Sequence, residues 1–160
     1  MATTTCNLAA AENNAAGIYC ERLAAQLGIS ERVRFLGFQA DPGPLYRAAD
    51  IAVHASREEA LSNFLIEAQS HGLPAVACHA LGIRECFIPG RTGWDVAQGD
   101  YEGFRAALAL LASDTPEERN ARSEDARAFA LTEFDPARQV AAYIRLFESL
   151  LRDGKPAPSL

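Results

Sequence analysis

A chain of 160 residues, 49% of them hydrophobic, is long enough for one domain with a full core. Its net charge of −6 and isoelectric point near 5.1 argue against nucleic acid or anionic membrane as the main partner. No apolar run approaches the roughly 20 residues that span a bilayer, so no transmembrane segment is expected. The opening Met1-Ala2-Thr3-Thr4-Thr5-Cys6 has neither the basic start nor the apolar stretch of a signal peptide, and the expected compartment is the cytoplasm.

Residues 1–16 are rich in Ala, Thr and Asn without a sustained period and are expected to be poorly ordered. From Ile18 the chain alternates. A helix over 18–27 ends at Gly28, and a strand follows over 33–37. A short helix over 45–49, a strand over 51–54, a helix over 62–71 and a strand over 75–78 come next, with Gly72 and Pro74 stopping the third helix. A short helix over 83–87 leads through the Pro89-Gly90 turn to a strand over 93–96. Apolar strands separated by helices predict an α/β domain with a Rossmann-like parallel sheet, helices on both faces and right-handed crossovers.

The C-terminal third reads as helical. Phe104, Leu108 and Leu111 share a face of a helix over 101–112, and Pro116 opens a second reaching Phe129. Asp135 caps a third, with Pro136 in its first turn and Val140, Tyr143, Ile144, Phe147 and Leu151 on one side. The organisation predicted is one domain over 17–153, with a tail at 154–160 carrying Pro156 and Pro158.

Several chemistries are missing from the sequence. Cys6, Cys20, Cys78 and Cys86 form no C-x-x-C pair and read as reduced thiols, and Cys78-His79 with Cys86 fits no standard zinc spacing. His54, His71 and His79 make no metal pattern, so no metal site and no cofactor are expected. There is no Walker loop, no G-x-G-x-x-G and no G-x-S-x-G.

What stands out is the run from Ser56 to Ala68, where Glu59 and Glu67 lie eight residues apart around the start of a helix that leaves a strand. Glu59 falls in the loop and Glu67 about two turns into the helix, beside Asn63 and His71. Free backbone N–H groups and the positive dipole end at a helix N-terminus suit a phosphate, and flanking carboxylates suit the hydroxyls of a sugar. Ser62 is placed to cap the helix. The ligand implied is phosphate at one end and polyol at the other.

This pattern resembles the Glu-x7-Glu motif of glycosyltransferase family 4, the retaining, nucleotide-sugar-dependent enzymes of the GT-B fold. Glu31-Arg32-Val33-Arg34-Phe35-Leu36-Gly37, Asp41 with Leu45-Tyr46-Arg47-Ala48-Ala49-Asp50, Glu67-Ala68 with Gly72-Leu73-Pro74, Gly82-Ile83-Arg84-Glu85 and Gly90-Arg91-Thr92-Gly93 are similar to family blocks in family order. The resemblance covers about 19–151. It implies that Glu67 binds the ribose hydroxyls of the donor and that Glu59 is the catalytic carboxylate facing the transferred sugar, while Glu58 is out of register. Ala60, Leu61, Ser62 and Asn63 line the donor, with the Ser62 and Asn63 N–H groups toward the diphosphate. Gly82 and Glu85 match a Gly-Gly-x-x-Glu loop, though Glu85 reads almost equally well as a carboxylate at a helix start. Gly37 and Phe38, with Gln39, lie where the base would sit. Arg57 and Arg84 flank the inferred cleft, and arginine forks phosphate well. Trp94 reads as a core or rim residue.

The chain also departs from the family. Ala60 stands where a glycine is common, and Leu81 replaces the first glycine of the later loop. The only lysine is Lys155, so the family's diphosphate lysine has no counterpart. The resemblance implies an N-terminally truncated donor-binding half of a two-domain enzyme whose acceptor domain is missing, with apolar surface left open to self-association and contact with the inner membrane face made through the missing domain. The expected function is nucleotide-sugar binding for sugar transfer to a hydroxyl acceptor, in surface glycan or lipopolysaccharide synthesis. The alternatives are a catalytically silent nucleotide-sugar-binding fragment and a scaffold or interaction domain.

Overall fold

A computed structural model describes residues 6–8 and 15–153, and the chain divides into two compact units at Pro44 and Leu45. The expected tail at 154–160, with Lys155, lies outside the described residues, as do 1–5 and 9–14.

The first unit holds strand β1 (Cys6–Leu8), helix α1 (Ala15–Gln26), a 3-10 turn (Ser30–Arg32) and strand β2 (Val33–Phe35). β1 runs parallel to β2, with Cys6 opposite Val33 and Leu8 opposite Phe35. The sequence predicts no strand before Ile18, because three residues are too few to show a period. α1 also starts earlier than the periodicity indicates, at Ala15. β2 ends at Phe35 rather than Gly37, whose φ of 63° turns the chain out of extended geometry.

Helix α2 (Gly43–Ala48) leads into the second unit, followed by β3 (Ala52–His54), α3 (Asn63–Ser70), β4 (Ala75–Cys78), a 3-10 turn (Ile83–Cys86), β5 (Gly93–Val96), α4 (Tyr101–Ala112), α5 (Pro116–Glu133) and α6 (Pro136–Asp153). β3, β4 and β5 form a three-stranded parallel sheet with β4 in the middle. The apolar runs between helices predict this arrangement, and β4, β5 and α4 fall on their expected residues.

Side chains on β4 alternate between two cores, as a strand's period of two requires. Ala75 and Ala77 join Ala52, Leu65, Ala68, Ile83 and Phe87 beneath α3, whereas Val76 joins Val96, Ala107 and Leu111 beneath α4. Each fully buried Leu, Ile or Phe contributes about 1.5–3 kcal/mol, so Leu65, Ile83 and Phe87, all at most 1% exposed, dominate the α3 side. Gln69 crosses this core, donating to the carbonyls of Leu73 at 2.8 Å and Thr92 at 3.2 Å. It ties the end of α3 to the loop before β5.

Helix ends follow local capping chemistry. Asp100 accepts from the Gly103 N–H at 2.9 Å to start α4. Thr115 and Glu118 form a reciprocal capping box ahead of Pro116. α5 continues past the expected Phe129 to Glu133, because Ala130 and Leu131 sustain a helix that only Asp135-Pro136 interrupts. α6 keeps the predicted apolar row of Val140, Tyr143, Ile144, Phe147 and Leu151, each more than half exposed. Among the described residues no helix is long and apolar enough to cross a membrane.

Gly93 opens β5 where a Cβ would clash with the ring of buried Phe87, 2.2 Å from its Cγ. Gly93→Ala is therefore expected to destabilise the fold by about 1–3 kcal/mol, the usual cost of overpacking. A urea unfolding midpoint unchanged from the parent protein would contradict this packing.

Candidate functional site

The site in the second unit is built around the N-terminus of α3. Ser62 is 2% exposed and caps the helix, its Oγ accepting from the Leu65 N–H at 3.4 Å while its carbonyl accepts from Ile66 at 3.1 Å. The N–H groups of Asn63 and Phe64, in the first turn, have no acceptor within the helix. Asn63 and Leu61 are exposed, and so is Ala60 in the loop before them. A positive dipole end with unsatisfied donors therefore faces outward.

Each expected carboxylate is held by a different side chain. Glu59 is half-buried, and its Oε2 lies 3.3 Å from His54 Nε2 at the end of β3. Glu67 is exposed, and its Oε2 accepts from the Tyr46 hydroxyl at 3.0 Å. Aromatic rings join the two arms. His54 stacks on Phe64 with centroids 5.9 Å apart, and Phe64 lies 6.0 Å from Tyr46. Burial first, then the Glu67 carboxylate, pushes the Tyr46 hydroxyl well above the usual phenol range, so it stays a donor.

Cys86 lies beneath the loops. Fully buried, its Sγ approaches the Gly82 carbonyl at 3.4 Å and the Ser62 carbonyl at 3.9 Å. Burial raises its titration; a backbone hydrogen bond at Ser62 opposes this, and the nearby Glu59 and Glu85 carboxylates reinforce it. The thiol thus marks the place where Glu59, Ser62, Gly82 and Glu85 converge. Gly82 adopts a left-handed φ of 73°, and a Cβ there would overlap the Ala60 carbonyl oxygen. The two loops touch backbone to backbone at this glycine.

Other expected residues are more dispersed. Arg57 is exposed. Arg84 is committed to Asp95 at 3.3 Å, and Asp95 also accepts His79 Nδ1 at 2.9 Å. Glu85 is exposed and, with Arg84, Phe87, Phe129, Glu133 and Phe134, lines a cavity of about 410 Å³. Gly37 and Phe38 belong to the first unit, where Gly37 is buried and Phe38 is 80% exposed. Trp94 packs toward α4 with Arg122 over its ring at 5.1 Å, a core and rim position.

Sequence reasoning missed His54, Tyr46 and Cys86 as parts of the site. Tyr46 precedes Glu67 by 21 residues, so no helical period links them. His54 makes no metal pattern in the sequence, and its place at the carboxyl end of β3, opposite Ala77, is the one signal that ties it to a site.

Comparison with known proteins shows the family and the fold. Residues 8–114 match the family of group 1 glycosyl transferases, and the chain belongs to that family. It is 38% identical over 93 residues to the lipopolysaccharide core biosynthesis glycosyltransferase LpsE of Rhizobium meliloti, covering 58% of this chain and 27% of LpsE. It is 31% identical over 134 residues to the N-acetyl-alpha-D-glucosaminyl L-malate synthase of Bacillus anthracis, covering 84% of this chain and 35% of that protein. The crystal structure of Anabaena HepE in complex with UDP has a TM-score of 0.77 and 28% identity, over 89% of this chain and 41% of HepE. HepE is also solved with UDP-glucose. The chain spans less than half the length of each of these relatives.

Three outcomes follow from the buried loop contact. Gly82→Ala is expected to lose about 1–3 kcal/mol of stability, combining left-handed strain with the clash at Ala60. A thermal melt like that of the parent protein would mean that the loops are not in contact. Thiolate is the reactive form of cysteine, so at pH 8 an alkylating reagent should label exposed Cys20 and spare Cys86. Because the folded thiol titrates above its unfolded value, its contribution to stability is full below the ordinary thiol range and is lost as pH rises through the raised value. Cys86→Ala should therefore flatten the alkaline limb of stability against pH. Labelling of Cys86 as fast as Cys20 would refute its burial.

Proposed function

We propose that this chain binds the nucleotide-sugar donor of a retaining glycosyltransferase that moves a sugar to a hydroxyl acceptor, in the synthesis of lipopolysaccharide or another surface glycan. The observation that carries this reading is the capped N-terminus of α3 standing between two separately held carboxylates, Glu59 on His54 and Glu67 on Tyr46. Family membership supports transfer chemistry, and the UDP and UDP-glucose complexes of HepE support a nucleoside diphosphate sugar as donor.

In this reading the diphosphate lies on the Asn63 and Phe64 N–H groups, where the helix dipole favours negative charge. Glu67 accepts hydrogen bonds from the ribose diol, and Glu59 faces the transferred sugar. When the bond from the anomeric carbon to the phosphate oxygen breaks, positive character grows on the carbon and negative charge on the leaving diphosphate. The helix end then stabilises the leaving group, with Arg57 near it in sequence, and Glu59 stabilises the carbon. Helix and arginine, rather than a metal ion, meet the diphosphate charge. The acceptor domain implied by the resemblance is the proposed partner, the site of catalysis is cytoplasmic, and no further cofactor enters.

A second reading, donor binding without turnover, is favoured by one observation: no lysine precedes Lys155 to grip the diphosphate. Sugar transfer to any hydroxyl acceptor by the chain would reject it.

Titration calorimetry separates the two carboxylates. Glu67→Gln should weaken UDP binding by about 1–3 kcal/mol, the range for a hydrogen bond to a charged group, and should cost the 2′,3′-dideoxy nucleotide almost nothing. Glu59→Gln should leave UDP untouched and weaken only the sugar-bearing donor. Equal losses for both variants with every ligand would mean that the carboxylates act through folding, and the separate ribose and sugar roles would be wrong.

A further inference from the structure

Glu67 stands on the exposed side of α3, and its side chain rotates about three bonds, so an unrestrained carboxylate there would visit several positions. Tyr46 restrains it. This side chain comes from α2, is only 8% exposed, and donates its hydroxyl to Glu67 Oε2 at 3.0 Å. The tyrosine is itself fixed, with its ring 6.0 Å from Phe64 and 5.0 Å from His71. His71 in turn closes the far end of α3, its Nδ1 lying 2.9 Å from the Glu67 carbonyl. The carboxylate is thus tethered at one oxygen by a buried donor whose own orientation is set by packing on both sides.

We propose that Tyr46 is a positioning residue for the donor site: by holding Glu67 Oε2 it leaves Oε1 and the second lone pair of Oε2 aimed at two neighbouring hydroxyls. The inference rests on the reading of Glu67 as the acceptor for the ribose diol. Its chemistry is specific to a diol. One hydroxyl can follow a wandering carboxylate, but a vicinal pair needs both acceptor oxygens fixed at once. Tyr46 touches no reacting atom, so it tunes donor affinity and the preference for a ribose bearing both hydroxyls.

Tyr46→Phe removes the hydroxyl and keeps the ring. Titration of the full chain with UDP and with its 2′,3′-dideoxy analogue, in this variant, in Glu67→Gln and in the double variant, tests the proposal. Tyr46→Phe is expected to weaken UDP about five- to twentyfold, the loss of order when one hydrogen bond to a charged group is removed. It should leave the dideoxy analogue unchanged and add nothing once Glu67 is already Gln. Glu67→Asp draws the carboxylate back from an intact Tyr46 and should also lose UDP affinity without touching the core. Full UDP affinity in Tyr46→Phe, beside a loss in Glu67→Gln, would overturn the positioning role and leave the reading of Glu67 standing. Equal loss of both nucleotides in Tyr46→Phe would assign the tyrosine to packing alone and also overturn the role. If Glu67→Gln itself fails to distinguish the two nucleotides, the diol reading falls and the positioning role falls with it.

Discussion

Ser62 caps α3 from a buried position, its hydroxyl on the Leu65 N–H and its carbonyl shared between the Ile66 N–H and the Cys86 thiol. This residue sets where the helix begins, which fixes the direction of its first turn and the distance along it to Glu67. It also anchors the underside of the loop that carries Glu59, because the same carbonyl sits over the second loop. A helix that started one residue later would rotate every side chain on it by about a quarter turn. Leu65 and Ala68 would then leave the core together, so the burial that stabilises α3 and the placement of the site are one constraint.

Around that anchor, charge is arranged in layers. The dipole end of α3 faces outward, the carboxylates flank it, and each carboxylate has a polar partner behind it on the core side, His54 or Tyr46. Buried polar groups cost desolvation unless they are paired. His54 Nδ1 and Gln69 Oε1 are buried without a partner among the described residues, a cost that the surrounding packing must outweigh. Away from the site the ion pairs are mostly exposed, such as Arg105 with Glu102, and contribute little. Arg122 with Asp114, where Asp114 is 5% exposed, is the better-shielded exception and braces α5 against the loop before it.

The sequence carries most of the second unit because its signals are local. Alternating apolar runs place β4 and β5, Asp100 and Pro116 mark helix starts, and Gly72 marks a stop. Glu59 and Glu67 were legible because a motif of fixed spacing spans them. What could not be read depends on contacts between distant segments. The Tyr46 hydroxyl meets Glu67 across 21 residues, and Gly82 meets Ala60 only after β4 brings the two loops together. Strand β1 was missed for another reason. Its three residues gain their geometry from pairing with β2, and pairing leaves no trace in so short a run.

Beneath α3 the sheet and helix meet through Ala52, Ala68, Ala75 and Ala77, all at most 4% exposed. Alanine adds only a methyl group, so the helix rests close to the strands, and the height of its N-terminus above the sheet is set by the smallness of these side chains. Packed interiors transmit volume changes instead of absorbing them. A redesign that filled this layer with valine or leucine, a common route to a more stable protein, would act as a jack under the helix. It would lift Glu67 away from Tyr46 while leaving both side chains unchanged.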